Sequence, residues 1–203
     1  MLWPWSSPAS LVNLRGPNVV LRLPQMDDYE AWFTLRRSSR DFLRPFEPRW
    51  TEADLGRRIY VSRVRRAREE AEQGTDYSFF IFVEEGRSEI LVGGITLSNI
   101  RRRAAQFVTL GYWMGQQYAG RGLMSEAVAI CLPFVFDTLD LHRIHAAFLP
   151  GNDASRRVLE KNGFVEEGFA EKYLQINGRW EDHVLFGLHK ERYEASRYSR
   201  GLR

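Results

Sequence analysis

Apolar positions along the chain fall into two spacings. Val19–Leu23, apolar except for Arg22, predicts a short strand. Trp32 and Leu35 recur at helical spacing and predict a helix over 27–38, followed by a proline-interrupted loop at 43–50. Thr51-x-x-Asp54 is a relative of the capping box and opens a helix over 51–73. Tyr60, Val64, Ala67 and Ala71 form its apolar stripe, and Gly74 ends it. Strands follow at 77–84 and 90–98, joined by the hairpin loop 84–88, and another at 106–114. Leu123, Ala127, Ile130, Cys131 and Phe134 set a helix over 121–139, which Pro133 should kink by removing a backbone donor. The order closes with a strand at 143–149, a helix at 153–162 and strands at 164–175 and 179–188. Residues 1–12, with Trp3 and Trp5, and residues 192–203 read as loose arms. No repeat, low-complexity segment or linker interrupts the pattern, so 1–203 reads as a single α/β domain.

One connection stands apart. Gln117-Tyr118-Ala119-Gly120-Arg121-Gly122 lies between the strand 106–114 and a helix. Two glycines there let backbone approach a ligand with no Cβ in the way. The free N–H groups of the first helical turn, and the macrodipole behind them, favour an anion. A P-loop needs a lysine directly after its second glycine, and the three lysines, Lys161, Lys172 and Lys190, lie far downstream. A dinucleotide fingerprint needs a third glycine where Ser125 stands. The spacing is Gln-x-x-Gly-x-Gly.

A second motif follows at 152–164. Asn152 or Asp153 caps a helix, Ala154, Val158 and Leu159 form its stripe, and Gly163-Phe164 ends it. The two motifs and their separation resemble the GCN5-related N-acetyltransferases (GNAT). The segments 167–174 and 177–185, with Phe42-Leu43-Arg44-Pro45-Phe46-Glu47-Pro48, resemble the ribosomal-protein-alanine N-acetyltransferases of the RimJ type, over about Val19 to Glu191. That family more often has Trp at the position of Phe46.

The resemblance implies a mixed central sheet of about seven strands, splayed between the fourth and fifth to admit acetyl-coenzyme A, with about four flanking helices. It implies a reaction too: acetyl transfer by direct attack to the α-amine of a protein that begins with alanine, the ribosomal protein S5 being the family's named substrate. Gln117, Tyr118, Gly120, Arg121 and Gly122 then surround the pyrophosphate, with Arg121 or Arg156 adding charge, and Asn152 holds the pantetheine arm. A bulge near Trp113–Gly115 frees a backbone N–H, that of Met114, towards the thioester oxygen. Leu159 occupies the place where many members carry a tyrosine acid and cannot donate a proton. Ser155 resembles the serine proposed as the acid in ribosomal acetyltransferases; alternatively it is an ordinary first-turn residue. Glu47 is the first candidate for a base or for binding the acceptor's ammonium, and Tyr173, Asp182 and His183 are others, Tyr173 also as a substrate contact.

Composition adds limits. One cysteine, Cys131, excludes an internal disulfide, fits a reducing cytoplasm and falls on an apolar helical stripe. No run of 18 apolar residues exists, the first residues lack signal-peptide features, and nothing suggests a metal. The net charge of +3 is carried by arginine, clustered at Arg57-Arg58, Arg63, Arg65-Arg66, Arg68 and Arg101-Arg102-Arg103. These clusters read first as a solvated face balanced by Glu69, Glu70 and Glu72, and second as contacts to ribosomal RNA. Other functions stay open: acetylation of a small amine such as an aminoglycoside or polyamine, a ribosome-assembly binding protein, or an acyl-coenzyme A sensor.

Overall fold

The structure, a computed structural model, describes residues 12–86 and 88–201. The arm with Trp3 and Trp5 lies outside the described residues. Eight strands form one mixed sheet: β1 (Asn13–Arg15), β2 (Val19–Arg22), β3 (Tyr77–Glu85), β4 (Ser88–Arg101), β5 (Phe107–Met114), β6 (Arg143–Phe148), β7 (Val165–Ile176) and β8 (Arg179–His189). Their order is β1-β2-β3-β4-β5-β6-β8-β7. Every neighbouring pair is antiparallel except β5 and β6.

Alternation along the strands sends side chains to both faces, and each face has its own core. On one face Val19, Leu21, Phe79, Ile81, Val108 and Leu110 pack with α4 (Leu123–Pro133), α5 (Asp153–Lys161) and α6 (Lys190–Gly201). On the other, Val20, Phe80, Phe82 and Leu91 pack with α1 (Tyr29–Ser38) through Trp32 and Leu35, and with α3 (Arg57–Gln73) through Tyr60 and Val64. The remaining helix, α2 (Arg40–Leu43), is a single turn that leads into the proline-rich loop. A Glu126 carboxylate from α4 accepts the backbone N–H groups of Asn18 and Val19 at 2.6 and 3.1 Å, which ties the β1–β2 turn to the helix.

Local chemistry accounts for the boundaries. Asp54 accepts from the Thr51 N–H at 2.7 Å, closing the capping box on a 3-10 turn at Glu52–Leu55; α3 itself starts at Arg57. Gly74, at φ +68°, ends α3 in the left-handed conformation. The chain passes from α4 into a π-helical segment at Phe134–Thr138, whose wider turn absorbs the donor lost at Pro133.

Three sequence expectations are corrected. The sheet has eight strands rather than about seven, because Asn13–Arg15 pairs with β2. Among the described residues there are six α-helices rather than about four. The segment 192–203 is no loose arm over its described part: α6 docks through Tyr193, which is 7% exposed and stacks on Phe136 at 4.8 Å between ring centroids. Truncating a buried aromatic ring costs about 3 kcal/mol or more. Tyr193→Ala should therefore lower the unfolding free energy from urea titration by about that amount, with a lower midpoint, and an unchanged midpoint would mean that the Tyr193 ring adds nothing to the fold.

Candidate active site

The parallel ladder between β5 and β6 runs from Phe107↔Arg143 to Leu110↔Ala146 and stops, although both strands continue. Beyond that point the strands separate. A cavity of about 320 Å³ opens between them, lined by Gly111, Tyr112, Ala147, Phe148, Asn152 and Ser155. It shares Phe46, Tyr112, Asn152 and Ser155 with a cavity of about 350 Å³ that continues to the 118–125 loop.

The gap exposes a defined edge of backbone. Gly115 donates its N–H to Val92 on β4 at 2.8 Å. Backbone groups alternate sides along a strand, so the Met114 and Tyr112 N–H groups point the other way, into the gap. The β4–β5 register is regular from Gly93↔Met114 to Ser98↔Thr109. The bulge expected near Trp113–Gly115 is therefore absent, and the departure of β6 alone frees the Met114 N–H.

At the far end of the cleft, a 3-10 turn at Gln116–Tyr118 leads to Gly120 at φ +77° and Gly122 at φ +82°. A Cβ at either would meet nothing within 4 Å, so the glycines are needed for backbone conformation and the space before them is open. Gly122 is the N-cap of α4, and no side chain caps that terminus. Its N–H groups are open to an anion. Arg121, Arg157 and Lys161 bring cations to the same cavity. The fit to a diphosphate is good: oriented donors, positive charge and room.

The sequence-predicted residues separate into two groups. Trp113, Met114, Tyr118, Gly120, Arg121, Gly122, Asn152, Ser155 and Glu47 all line the cleft. Gln117, Arg156 and Tyr173 do not. Arg156 is engaged elsewhere, pairing with Glu166 at 2.8 Å and Glu160 at 3.6 Å and lying over Phe186. Tyr173 is exposed and stands edge-on to His183. Asp182 accepts the Lys172 N–H at 2.8 Å, a contact within the β7–β8 hairpin. His183 is buried, lines the gap between the strands and directs Nδ1 to the Glu181 carbonyl at 2.9 Å. Cys131 is fully buried, and burial pushes its thiol far above the usual range. Two members of the basic clusters are balanced by acids: Arg57 by Glu30 at 3.4 Å and Arg66 by Glu70 at 3.7 Å.

Asn152 caps α5: its Oδ1 accepts the Ser155 N–H at 3.1 Å. Among the described residues the Ser155 hydroxyl makes no hydrogen bond. Tyr112, which the sequence reading missed, directs its hydroxyl to the Ser155 carbonyl at 3.4 Å, a weak contact. Burial pushes the Tyr112 phenol up to about 12, so it stays protonated through neutral pH. Tyr112 follows Val108 and Leu110 in the inward alternation, and a hydroxyl in that row is its only sequence signal.

Glu47 is held from one side. Its Oε1 accepts Arg36 at 2.7 Å and the Trp50 indole N–H. Arg36 in turn lies between the rings of Trp50, at 5.0 Å, and Trp113, at 4.8 Å. Both recorded bonds fall on Oε1, which leaves Oε2 for another partner.

Comparison with known proteins adds the relationships. The family model described as the acetyltransferase (GNAT) domain matches residues 18–165. A relative from Escherichia coli, the [ribosomal protein uS5]-alanine N-acetyltransferase, is 34% identical over 179 residues, 87% of this chain and 90% of the relative. Mycobacterium smegmatis RimJ, solved in complex with CoA-disulfide, superimposes with a TM-score of 0.80 at 31% identity, covering 91% of this chain and 92% of that one. A ribosomal-protein-S5-alanine acetyltransferase from Vibrio fischeri gives 0.81 at 30% identity, over 89% and 97% of the chains.

The Arg36–Glu47 pair is nearly out of solvent, with side chains 11% and 17% exposed. Removing one partner of such a pair costs about 3 kcal/mol, because the other charge is stranded. Arg36→Met should show this loss in chemical denaturation, and Arg36→Met/Glu47→Gln should recover part of it. A double variant as unstable as the single one would mean that packing on the two tryptophans, not charge, is what Arg36 supplies.

Proposed function

This chain belongs to the acetyltransferase (GNAT) domain family, and on that premise we propose that it transfers acetyl from acetyl-coenzyme A to the N-terminal α-amine of a protein beginning with alanine, with ribosomal protein S5 as the candidate acceptor. The observation that carries this reading is the continuous cleft from the Gly120–Gly122 loop, along the free edge of β5, to the mouth bounded by Phe46 and Glu47. The relatives named for S5-alanine acetylation support the choice of acceptor.

The thioester supplies an activated acetyl group, and the residues of this chain arrange its transfer. Gly120, Gly122 and the α4 N-terminus, with Arg121, Arg157 and Lys161, hold the diphosphate. Asn152 and the backbone edge of Tyr112–Met114 hold the amide-bearing arm beside them. An α-amine has a pKa near 8, so about a tenth is neutral at pH 7 and no strong base is required. Arg36 and Trp50 occupy one oxygen of Glu47, so we assign Glu47 to holding and orienting the acceptor's ammonium through Oε2. The Met114 N–H donates to the carbonyl oxygen as negative charge builds on it. Ser155 and Tyr112 stand on the two walls of the gap, with hydroxyls available to donate to the departing thiolate.

The test of the reaction is mass spectrometry of peptides incubated with the protein and acetyl-coenzyme A. The panel is an alanine-started S5 N-terminal peptide, the same peptide with other first residues, and a lysine peptide with a blocked N-terminus. Acetyl on the α-amine of the alanine peptide, and none on lysine, is the expected result; acetyl on lysine alone overturns the reading. Catalytic roles are separated by Ser155→Ala and Tyr112→Phe. Loss of a proton donor should lower kcat by about 10²-fold with little change in KM. Whichever hydroxyl can be removed without changing kcat is not the donor.

A further inference from the structure

A basic cleft lies beside the acceptor mouth and has no part in the roles above. Between the 43–50 loop and the β7–β8 turn, Arg40, Arg44, Arg49 and Arg179 line a cavity of about 630 Å³ together with Trp50 and a single carboxylate, Glu181. Among the described residues none of the four arginines belongs to an ion pair. Arg44 reaches only the Asn177 side-chain oxygen, at 3.4 Å, and Arg40 lies over the Trp50 ring at 5.4 Å. Four like charges gathered in one concavity repel one another, and the arrangement is stabilised when an anion enters. The guanidinium fork matches a carboxylate with two parallel hydrogen bonds.

The position of the cleft decides which anion. It shares Pro48 and Ile176 with the cavity between β5 and β6. Its two walls are pinned together where the Asn177 N–H donates to the Glu47 carbonyl at 3.0 Å. Three of the arginines flank Glu47 on its own segment. A polypeptide whose first residue reaches Ser155 and Tyr112 leaves past Pro48 and Ile176, straight into this cleft. The cavity lies open between the loop and the turn, next to the acceptor mouth, where side chains of a bound polypeptide would pass.

We propose that this cleft binds acidic side chains of the acceptor polypeptide, a few residues after the amine that is acetylated, so that the enzyme selects acceptors by a downstream carboxylate as well as by the first residue. This rests on the α-amine reading above.

The experiment is a set of alanine-started peptides identical except for Glu, Gln or Lys placed in turn at positions two to eight. Glu at the matching position should lower KM about tenfold relative to Gln, leave kcat unchanged and lose its advantage as salt rises. In Arg49→Glu/Arg179→Glu, both substituted at exposed positions, the preference should turn towards the Lys peptides, which a misfolded protein could not produce. Equal KM across the set, with every peptide acetylated on its amine, overturns the cleft proposal and leaves the α-amine reading standing. Failure to acetylate any peptide overturns both. Binding of single-stranded RNA that the double variant loses, with no preference for Glu, makes this a nucleic-acid site and overturns the proposal.

Discussion

The end of the parallel ladder at Leu110↔Ala146 is the constraint on which the site depends. Parallel neighbours in a sheet normally pair along their length, because an unpaired buried N–H or C=O is costly. Here each strand is committed elsewhere. β5 is held by β4 as far as Gly93↔Met114, and β6 is held by β8 along its whole length, from Arg143↔His189 to Phe148↔Val184. The two halves of the sheet can therefore part without either strand losing its order. The backbone left open is rigid, because its other edge is fully bonded. A ligand carrying amides can complete the ladder that the protein leaves unfinished, and that is the form of recognition the edge offers.

The acceptor side depends on a different kind of restraint. The loop at 43–50 has little regular structure, yet Glu47 is fixed on it by three partners from separate elements: Arg36 of α1, Trp50 of the loop itself and, through its carbonyl, Asn177 of the β7–β8 turn. Arg36 also lies against Trp113, whose neighbour Met114 presents its N–H to the cleft. One guanidinium thus links the α1 face of the sheet to both sides of the active site. Polar groups in such surroundings are worth most when all are satisfied together, which suits the ammonium-holding role proposed for Glu47.

What the sequence disclosed followed from how local each feature is. The capping box at Thr51 and Asp54, the left-handed Gly74 and the glycine pair at 120 and 122 are written in a few adjacent residues, and all were legible. β1 was missed because Asn13-Leu14-Arg15 has one apolar residue, and only pairing with β2 makes it a strand. α6 was missed for a similar reason: among Arg, Glu and Ser residues, Tyr193 alone carries most of the docking. Arg156 was offered beside Arg121 as a charge for the phosphate and Arg157 was not considered, although geometry favours Arg157. Ala154, Arg157, Val158 and Lys161 stand at i, i+3, i+4 and i+7 and face the cleft together, while Arg156 is turned towards Glu166 and Phe186. Glu47 was found by its place between prolines, but the arginine that holds it is 11 positions away in sequence and gave no signal.

The position of Leu159 bears on where the proposed proton donors lie. It is 1% exposed, packs in the core and also lines the gap, where its side chain has no proton to give. With an apolar side chain at that position, the hydroxyls that line the gap are those of Tyr112 on β5 and Ser155 on α5. Placing one donor on β5 has a geometric consequence. Tyr112 and Met114 are two residues apart on a strand bonded along its other edge, so their Cα atoms are held about 7 Å apart. In the proposed mechanism the donor to the thiolate and the donor to the oxyanion then both register against one rigid element.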